Sequence, residues 1–341
     1  MATTNFTTDN ALTKKAWEEK LYRDASKDSY FSKFMGEGSD NIVQVNNKLS
    51  KDSGDEITFG IRMRLSGAGV GEGTQLEGNE EALTTHNFKV TLAQARHAVR
   101  DAGAMARQRA LFTISTEARS ALKDWLSEKQ DALKFTALAS APTRCFYHVD
   151  TTYSTTGTYA TAKAALNATT SKITPQLLDF AKAWALTGGN RAQTPLRPVK
   201  IKGKMYFAVV MHPDVAYDLR QDTKWFETVQ NALPRDEENP IFSGALGVWN
   251  GMVLHDHESV PIYLNGGGGA VPGSDIYLMG AQSLCWANGQ RMPIVEKKFD
   301  YDNEVGHALG MIYGVGKPKF NSKDYGSVCI PVARTRISDA A

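Results

Sequence analysis

Ile57-Thr58-Phe59-Gly60-Ile61-Arg62-Met63-Arg64-Leu65 is the stretch that decides the fold. Ile57, Phe59, Ile61, Met63 and Leu65 alternate with Thr58, Gly60, Arg62 and Arg64. A period of two puts every large apolar side chain on one face, which predicts a half-buried strand. Ser66–Gly78 follows with five glycines and almost no large apolar residue. Phe88, Val90 and Leu92 then alternate with Asn87, Lys89 and Thr91, predicting a second strand. Together they predict a long hairpin with a Gly-rich tip of roughly twenty residues, a length that in compact domains goes with function or motion. A lone two-stranded hairpin is marginal in water, so its apolar face needs a surface. Because the long helix and later strands fill the subunit's own core, that surface is expected on another copy of the chain.

Upstream, residues 1–48 read as an arm. Ala11–Tyr22 predicts a short helix with Leu12, Ala16 and Leu21 near one stripe, and the rest is polar and rich in Asn, Ser and Lys. Such a segment buries little by itself and is expected to be ordered only against a partner, in an assembly. Downstream, Asp101–Ala139 contains no proline and a single glycine. Leu111, Ile114, Ala118, Leu122, Trp125 and Leu133 follow helical spacing. One helix of about 35 residues would run ~50 Å, a spine crossing the molecule, and Pro142 ends it. Thr174-Pro175 opens a further helix, with Thr as cap and Pro in the first turn, and Gly188-Gly189 closes it. Met205–Met211 reads as a buried strand, and more strands follow to Val332. The fold class is therefore α+β, with strands segregated from one dominant helix.

The chain has 341 residues, 42% hydrophobic and 22% charged, which excludes disorder throughout and is enough for about two domains. A formal net charge of +2 argues against a dedicated nucleic-acid binder. Cys145, Cys285 and Cys329 are far apart and odd in number, so they are expected to be reduced. The N-terminus is polar and Thr-rich, without the apolar stretch of a signal peptide, and no apolar run approaches the ~20 residues that cross a bilayer.

Catalytic signatures are sparse. No phosphate loop or nucleophile elbow is present. His255-Asp256-His257 places two imidazoles on one strand face, where both could reach a metal, and a metal-dependent enzyme centred on His255 and His257 is the alternative from another function class. No spacing points to a third ligand, and a solvated turn is the competing reading. His212-Pro213-Asp214 reads as a strand-to-helix turn, with Asp at a favourable helix N-terminus. Arg191, Arg197, Lys200, Lys202 and Lys204 form a basic stretch without aromatics, expected to be a solvated loop with a possible phosphate-facing side. Glu72, Glu77, Glu80 and Glu81 make the hairpin tip acidic, while Arg62 and Arg64 make one arm basic. Opposed charge along a projecting element is what an inter-subunit contact uses to fix register.

The order polar arm, two-stranded loop with glycine tip, very long helix, mixed domain and returning strands resembles the major capsid protein of tailed bacteriophages. Local phrases are similar to one family of short-tailed phages that carry a virion RNA polymerase. These are Val209-Val210-Met211-His212-Pro213-Asp214, Asn239–Gly247 with Trp249-Asn250-Gly251, Leu278–Ser283, and Gly314–Asn321 with Asp324-Tyr325-Gly326. The resemblance implies an N-arm at 1–48, an E-loop at 49–95, the spine helix of a peripheral P domain at 96–142, a mainly axial A domain at 143–290, and P-domain return strands at 291–341. It also implies a structural, non-enzymatic protein without cofactor or metal. Such a protein self-assembles into pentamers and hexamers of an icosahedral head around double-stranded DNA, which it touches weakly. Portal and decoration proteins would be partners. The lack of a long charged N-terminal scaffolding segment implies a separate scaffolding protein. The implied location is the virion, with assembly in the host cytoplasm and no membrane. An encapsulin-like compartment shell is the alternative with the same fold.

Overall fold

In the computed structural model, which describes residues 29–48, 54–61, 69–81, 86–111, 113–149, 152–155, 157–188, 194–201, 203–230, 245–291 and 295–337, the chain builds two large sheets. The expected helix at Ala11–Tyr22 lies outside the described residues. After a short 3-10 helix at Tyr30–Phe34 come β1 (Met35–Gly36), β2 (Val43–Asn46), the hairpin strands β3 (Glu56–Ile61) and β4 (His86–Thr91), and β5 (Ala93–Arg100). Helices α1 (Ala104–Arg109) and α2 (Ile114–Ala139) precede the small hairpin β6 (Tyr147–Val149) and β7 (Thr152–Ser154). Then come α3 (Tyr159–Ala164), α4 (Pro175–Thr187), β8 (Val199–Ile201), β9 (Lys204–Met211), α5 (Pro213–Arg220) and α6 (Thr223–Gln230). Strands β10 (Gly247–Trp249), β11 (Met252–Asp256), β12 (Ile262–Gly266) and β13 (Val271–Met279) follow. The chain closes with β14 (Leu284–Arg291), β15 (Val295–Phe299), β16 (Glu304–Gly316), β17 (Lys319–Phe320), β18 (Lys323–Asp324) and β19 (Ser327–Ala333).

The seven-stranded sheet runs β10-β11-β9-β13-β12, with β8 beside β9 and β19 beside β13. It is buried on both faces, and its strands alternate between two clusters. Val209, Met211, Leu254, Ile276, Leu278 and Ile330 pack with Leu177, Leu178 and Trp184 of α4. Ala208, Val210, Tyr277, Met279 and Cys329 pack on the other side with Phe31, Phe34, Ile42, Val43 and Phe135. The α4 boundaries are those the sequence predicts: Thr174 Oγ1 accepts from the Leu177 amide at 3.3 Å, and Gly188 stops the helix at φ 63°. His212 likewise caps α5, its Nδ1 accepting from the Asp214 amide at 3.2 Å.

The six-stranded sheet runs β1-β2-β14-β16-β15, with β5 on the free side of β16. The spine lies across one of its faces. His97 of β5 packs on Trp125 with ring centroids 5.0 Å apart, and Ser115 Oγ is 2.6 Å from His307 Nε2 of β16.

Three expectations need correction. The helix expected from Asp101 onward, within the spine segment 96–142, is broken. Residues 93–100 are an edge strand, and α2 is 26 residues, about 39 Å. The start of the helical stretch is set by Gly103, the cap of α1, which turns at φ 101° where Asn303 leaves no room for a side chain, and the chain breaks again between α1 and α2, where Ala110 is extended at φ −72° and ψ 139°. Buried Asp101 holds the corner by accepting from the Val305 amide at 2.7 Å and Arg107 at 2.5 Å. Second, residues 29–48 do not wait for an assembly. Phe31, Phe34, Ile42 and Val43 are among the most buried residues of their own chain, a sparse apolar quartet inside a polar average. Third, the strands do not divide at residue 290. β14 already belongs to the six-stranded sheet, and β19 returns to the seven-stranded one, pairing with β13 from Gly273↔Ala333 to Met279↔Ser327.

Candidate assembly interface

Strands β3 and β4 pair in register from Glu56↔Thr91 to Ile61↔His86. Ile57, Phe59 and Ile61 are buried and their neighbours exposed, as the period of two requires. What covers them differs from expectation: Ile57, Phe59 and Val90 pack on Cys285 and Ala287 of β14, in the same subunit. The reason lies in β16. Gly306, Ala308, Gly310, Gly314 and Gly316 occupy alternate positions, with Ile312 the one large side chain among them, so the end of this face under the hairpin, at Gly314 and Gly316, is bare of side chains. The hairpin lies directly on its end. A methyl group at Gly314 would stand 2.7 Å from Val90 Cγ1 and 3.0 Å from the Thr91 carbonyl oxygen; one at Gly316 would stand 2.8 Å from the Phe88 ring.

The hairpin base is wired to both sheets through Gln282, at the crossing between β13 and β14. Gln282 is buried in the left-handed conformation, φ 55°. Its side chain donates to Gly60 of the hairpin at 3.0 Å and to Gln44 of β2 at 2.8 Å, and accepts from Arg197 at 2.8 Å. Arg197 also donates to the Ser39 carbonyl at 2.6 Å. One amide thus joins the hairpin, the N-terminal strands and the segment entering β8. Gly326 has no room for a side chain because Gln282 O would be 2.5 Å away. The basic stretch is therefore not wholly a solvated loop: Arg197 is drawn inward and 199–201 form β8, whereas Arg191 and Lys202 lie outside the described residues.

Beyond its base the hairpin projects. Of residues 69–81 only Val70 is not exposed, and Leu76 shows 63% of its surface. Glu72, Glu77, Glu80 and Glu81 all lie there. The tip is held by its own bonds, the Gly78 amide to Glu80 at 2.8 Å and Asn79 to the Gln75 carbonyl at 2.9 Å. Arg62 and Arg64 lie outside the described residues.

The N-terminal anchor is a second polar centre that sequence patterning missed. Asp131 of α2 accepts from Ser29 Oγ at 2.7 Å and from the Tyr30 and Phe31 amides at 2.6 and 3.4 Å, capping the 3-10 helix. Lys134 is fully buried beside it, 3.8 Å from the carboxylate and 4.8 Å above Trp286. Burial lowers its ammonium to about 8, while Asp131 pulls the other way.

The histidine pair is absorbed here, His255 within β11 and His257 where the expected turn opens, its carbonyl accepting from the Val260 amide at 3.3 Å. His255 packs on Phe34 at 5.2 Å with its Nδ1 3.3 Å from Lys33 Nζ, and His257 stacks on Phe135 at 4.8 Å. Among the described residues no group of three or more His, Cys, Asp or Glu could hold a metal ion. No helix of the described residues is long and apolar enough to cross a membrane.

Comparison with known proteins agrees with this architecture. A family model described as phage capsid protein matches residues 5–334. The major capsid protein of Pseudomonas phage KPP25 is 27% identical over 374 aligned positions, covering 97% of both chains. The capsid of Ralstonia phage GP4 is similar at TM-score 0.80 and 27% identity, over 98% of this chain and 99% of that one. The capsid asymmetric unit of cyanophage Pam1 shares the fold at TM-score 0.76 and 23% identity, over 99% and 100%.

Proposed function

The chain belongs to the phage capsid protein family, a structural component that repeats in the lattice of a phage head and not an enzyme, and from that premise we propose how its parts divide the work of assembly. Residues 1–48 serve as the N-arm, 49–95 as the E-loop and α2 as the spine. The seven-stranded sheet is the axial domain meeting at the capsomer centre, and the six-stranded sheet the peripheral one. Copies join into pentamers and hexamers and close an icosahedral head around double-stranded DNA. Assembly takes place in the host cytoplasm with a separate scaffolding protein, and portal and decoration proteins are added. The net charge of +2 suits a wall that touches packaged DNA only weakly.

One observation carries the assembly reading: the hairpin's base is seated on its own subunit while its acidic tip is exposed. Copies in a lattice supply the missing contact. The tip, with Glu72, Glu77, Glu80 and Glu81, rests on a neighbouring copy, and Arg62 and Arg64 help set its register. Each exposed pair contributes ~0–1 kcal/mol, but every subunit repeats it. The test is Arg62→Glu with Arg64→Glu. The free subunit should keep its melting curve while shell closure fails or shifts to a different salt range. Normal shells across ionic strengths would refute the register role, and an unfolded subunit would move these arginines into the fold.

A further inference from the structure

A cleft of ≈ 400 Å³ lies between the spine and the six-stranded sheet, lined by Met35, Leu126, Gln130, Trp286, Met311 and Tyr313 among others. Its walls are mostly apolar, with few groups that could satisfy enclosed water. A helix laid on a sheet normally closes such a gap with its own side chains. Here Leu126 and Gln130 stop short, and the space stays open beside the stacked pair Trp286 and Tyr313, whose centroids are 5.7 Å apart.

The chain leads to this cleft. Ser29, where the described N-terminal segment begins, is pinned to Asp131, the residue after Gln130, and Met35 lines the same space. Residues 23–28, Arg-Asp-Ala-Ser-Lys-Asp, carry no large apolar side chain and form a polar link. Six residues span at most about 20 Å. Immediately before them stand Trp17, Leu21 and Tyr22, the apolar end of the segment that reads as a short amphipathic helix.

We propose that this cleft is the docking site of the chain's own N-terminal segment, with Leu21 and its apolar neighbours Trp17 and Tyr22 filling the space beneath the spine. The occupant is the same chain because Met35, six residues after the bonded Ser29, itself lines the cleft, and Ser29 is tied to the helix that forms one wall. A link of six residues keeps the segment at a high effective concentration near the cleft. Docking in this way would extend the anchor at Asp131 along α2 and make the N-terminus part of the subunit before assembly begins.

The full chain carrying Leu21→Cys with Gln130→Cys, oxidised with diamide, tests this. Glu128 is exposed on the opposite side of the same helix, so Leu21→Cys with Glu128→Cys is the control for a freely moving tether. The Gln130 pair should form an intrachain disulfide at least tenfold faster than the control. Equal rates would overturn the proposal, and so would disulfides joining different chains, which would make a second copy the occupant. A variant altered only in the tail, Leu21→Glu with Tyr22→Glu, guards against damage to the cleft. Amides of residues 11–22 should exchange at least tenfold faster in it than in the unaltered free subunit, and identical exchange would refute docking.

Discussion

Gly314→Ala puts one methyl group where the hairpin rests, and the structure sets the size of the response. The added carbon would lie 2.7 Å from Val90 Cγ1, 3.0 Å from Thr91 O and 3.2 Å from Leu92 Cδ2. Carbon atoms settle at about 3.5–4.0 Å, so the hairpin must rise by roughly 1 Å. Leaving the seat altogether would expose Ile57, Phe59 and Val90, at about 1.5–3 kcal/mol each. Absorbing one extra methyl group costs about 1–3 kcal/mol. The smaller cost wins, so the hairpin lifts and stays attached. Denaturant unfolding of the free subunit should show a loss of about 1–3 kcal/mol, and hydrogen exchange should accelerate in β3 and β4. The displaced tip should slow or prevent shell closure. Gly60→Ala is the internal control, because a methyl group on that exposed strand position meets nothing within 4 Å. It should stay within about 0.5 kcal/mol of the unaltered protein. If Gly314→Ala and Gly60→Ala behave alike, the close seat on β16 is not what holds the hairpin.

Two further expectations follow from the buried polar centres. Lys134 is held at about 8 against its usual 10.5. Between those values the unfolded chain keeps a proton that the folded chain has released, so this residue makes stability rise with pH across that window, by at most about 3 kcal/mol. Burial pushes the Cys285 and Cys329 thiols up and acts in the opposite sense as pH passes 9, so the effect is read as the difference between the unaltered protein and Lys134→Met in denaturant titrations from pH 7.5 to 10.5. A difference independent of pH would refute it. Gln282→Ala removes the amide shared by Gly60, Gln44 and Arg197, and the lost bonds should cost about 2–4 kcal/mol. Exchange should quicken at the hairpin base and in β2 together; quickening at one of them alone would break the hub.

The hairpin and its faces were legible because a period of two survives any tertiary context that buries one side. Its seat was not legible: the glycines at 306, 310, 314 and 316 show their use only when β16 is placed beside β14 and the hairpin comes down on Gly314 and Gly316. The spine was overextended at its N-terminal end: Asp101–Thr113 reads as helix across the break after α1, and residues 96–100, counted with the spine, hold helix formers such as Ala98 and Arg100 yet sit in an edge strand against β16. Pairing overrode propensity there. The anchor at Asp131 and the hub at Gln282 join residues 85 to 238 positions apart. No local spacing encodes such contacts, and a polar average over residues 29–48 conceals the Phe31, Phe34, Ile42 and Val43 that draw the segment inward. The histidine triplet is a mixed case: the turn after the strand was legible, but His257 lies past the end of β11, and the packing of His255 on Phe34 and of His257 on Phe135 was not.

The central claim is that the hairpin is founded on its own subunit and reaches a neighbour only with its tip. Electron cryomicroscopy of assembled shells, at a resolution that traces side chains, tests it most directly. The account predicts Phe88 and Val90 lying on Gly316 and Gly314 of the same chain, with residues 69–81 in contact with an adjacent copy. Hairpins exchanged onto the neighbour's β16, or tips that touch no other subunit, would contradict it.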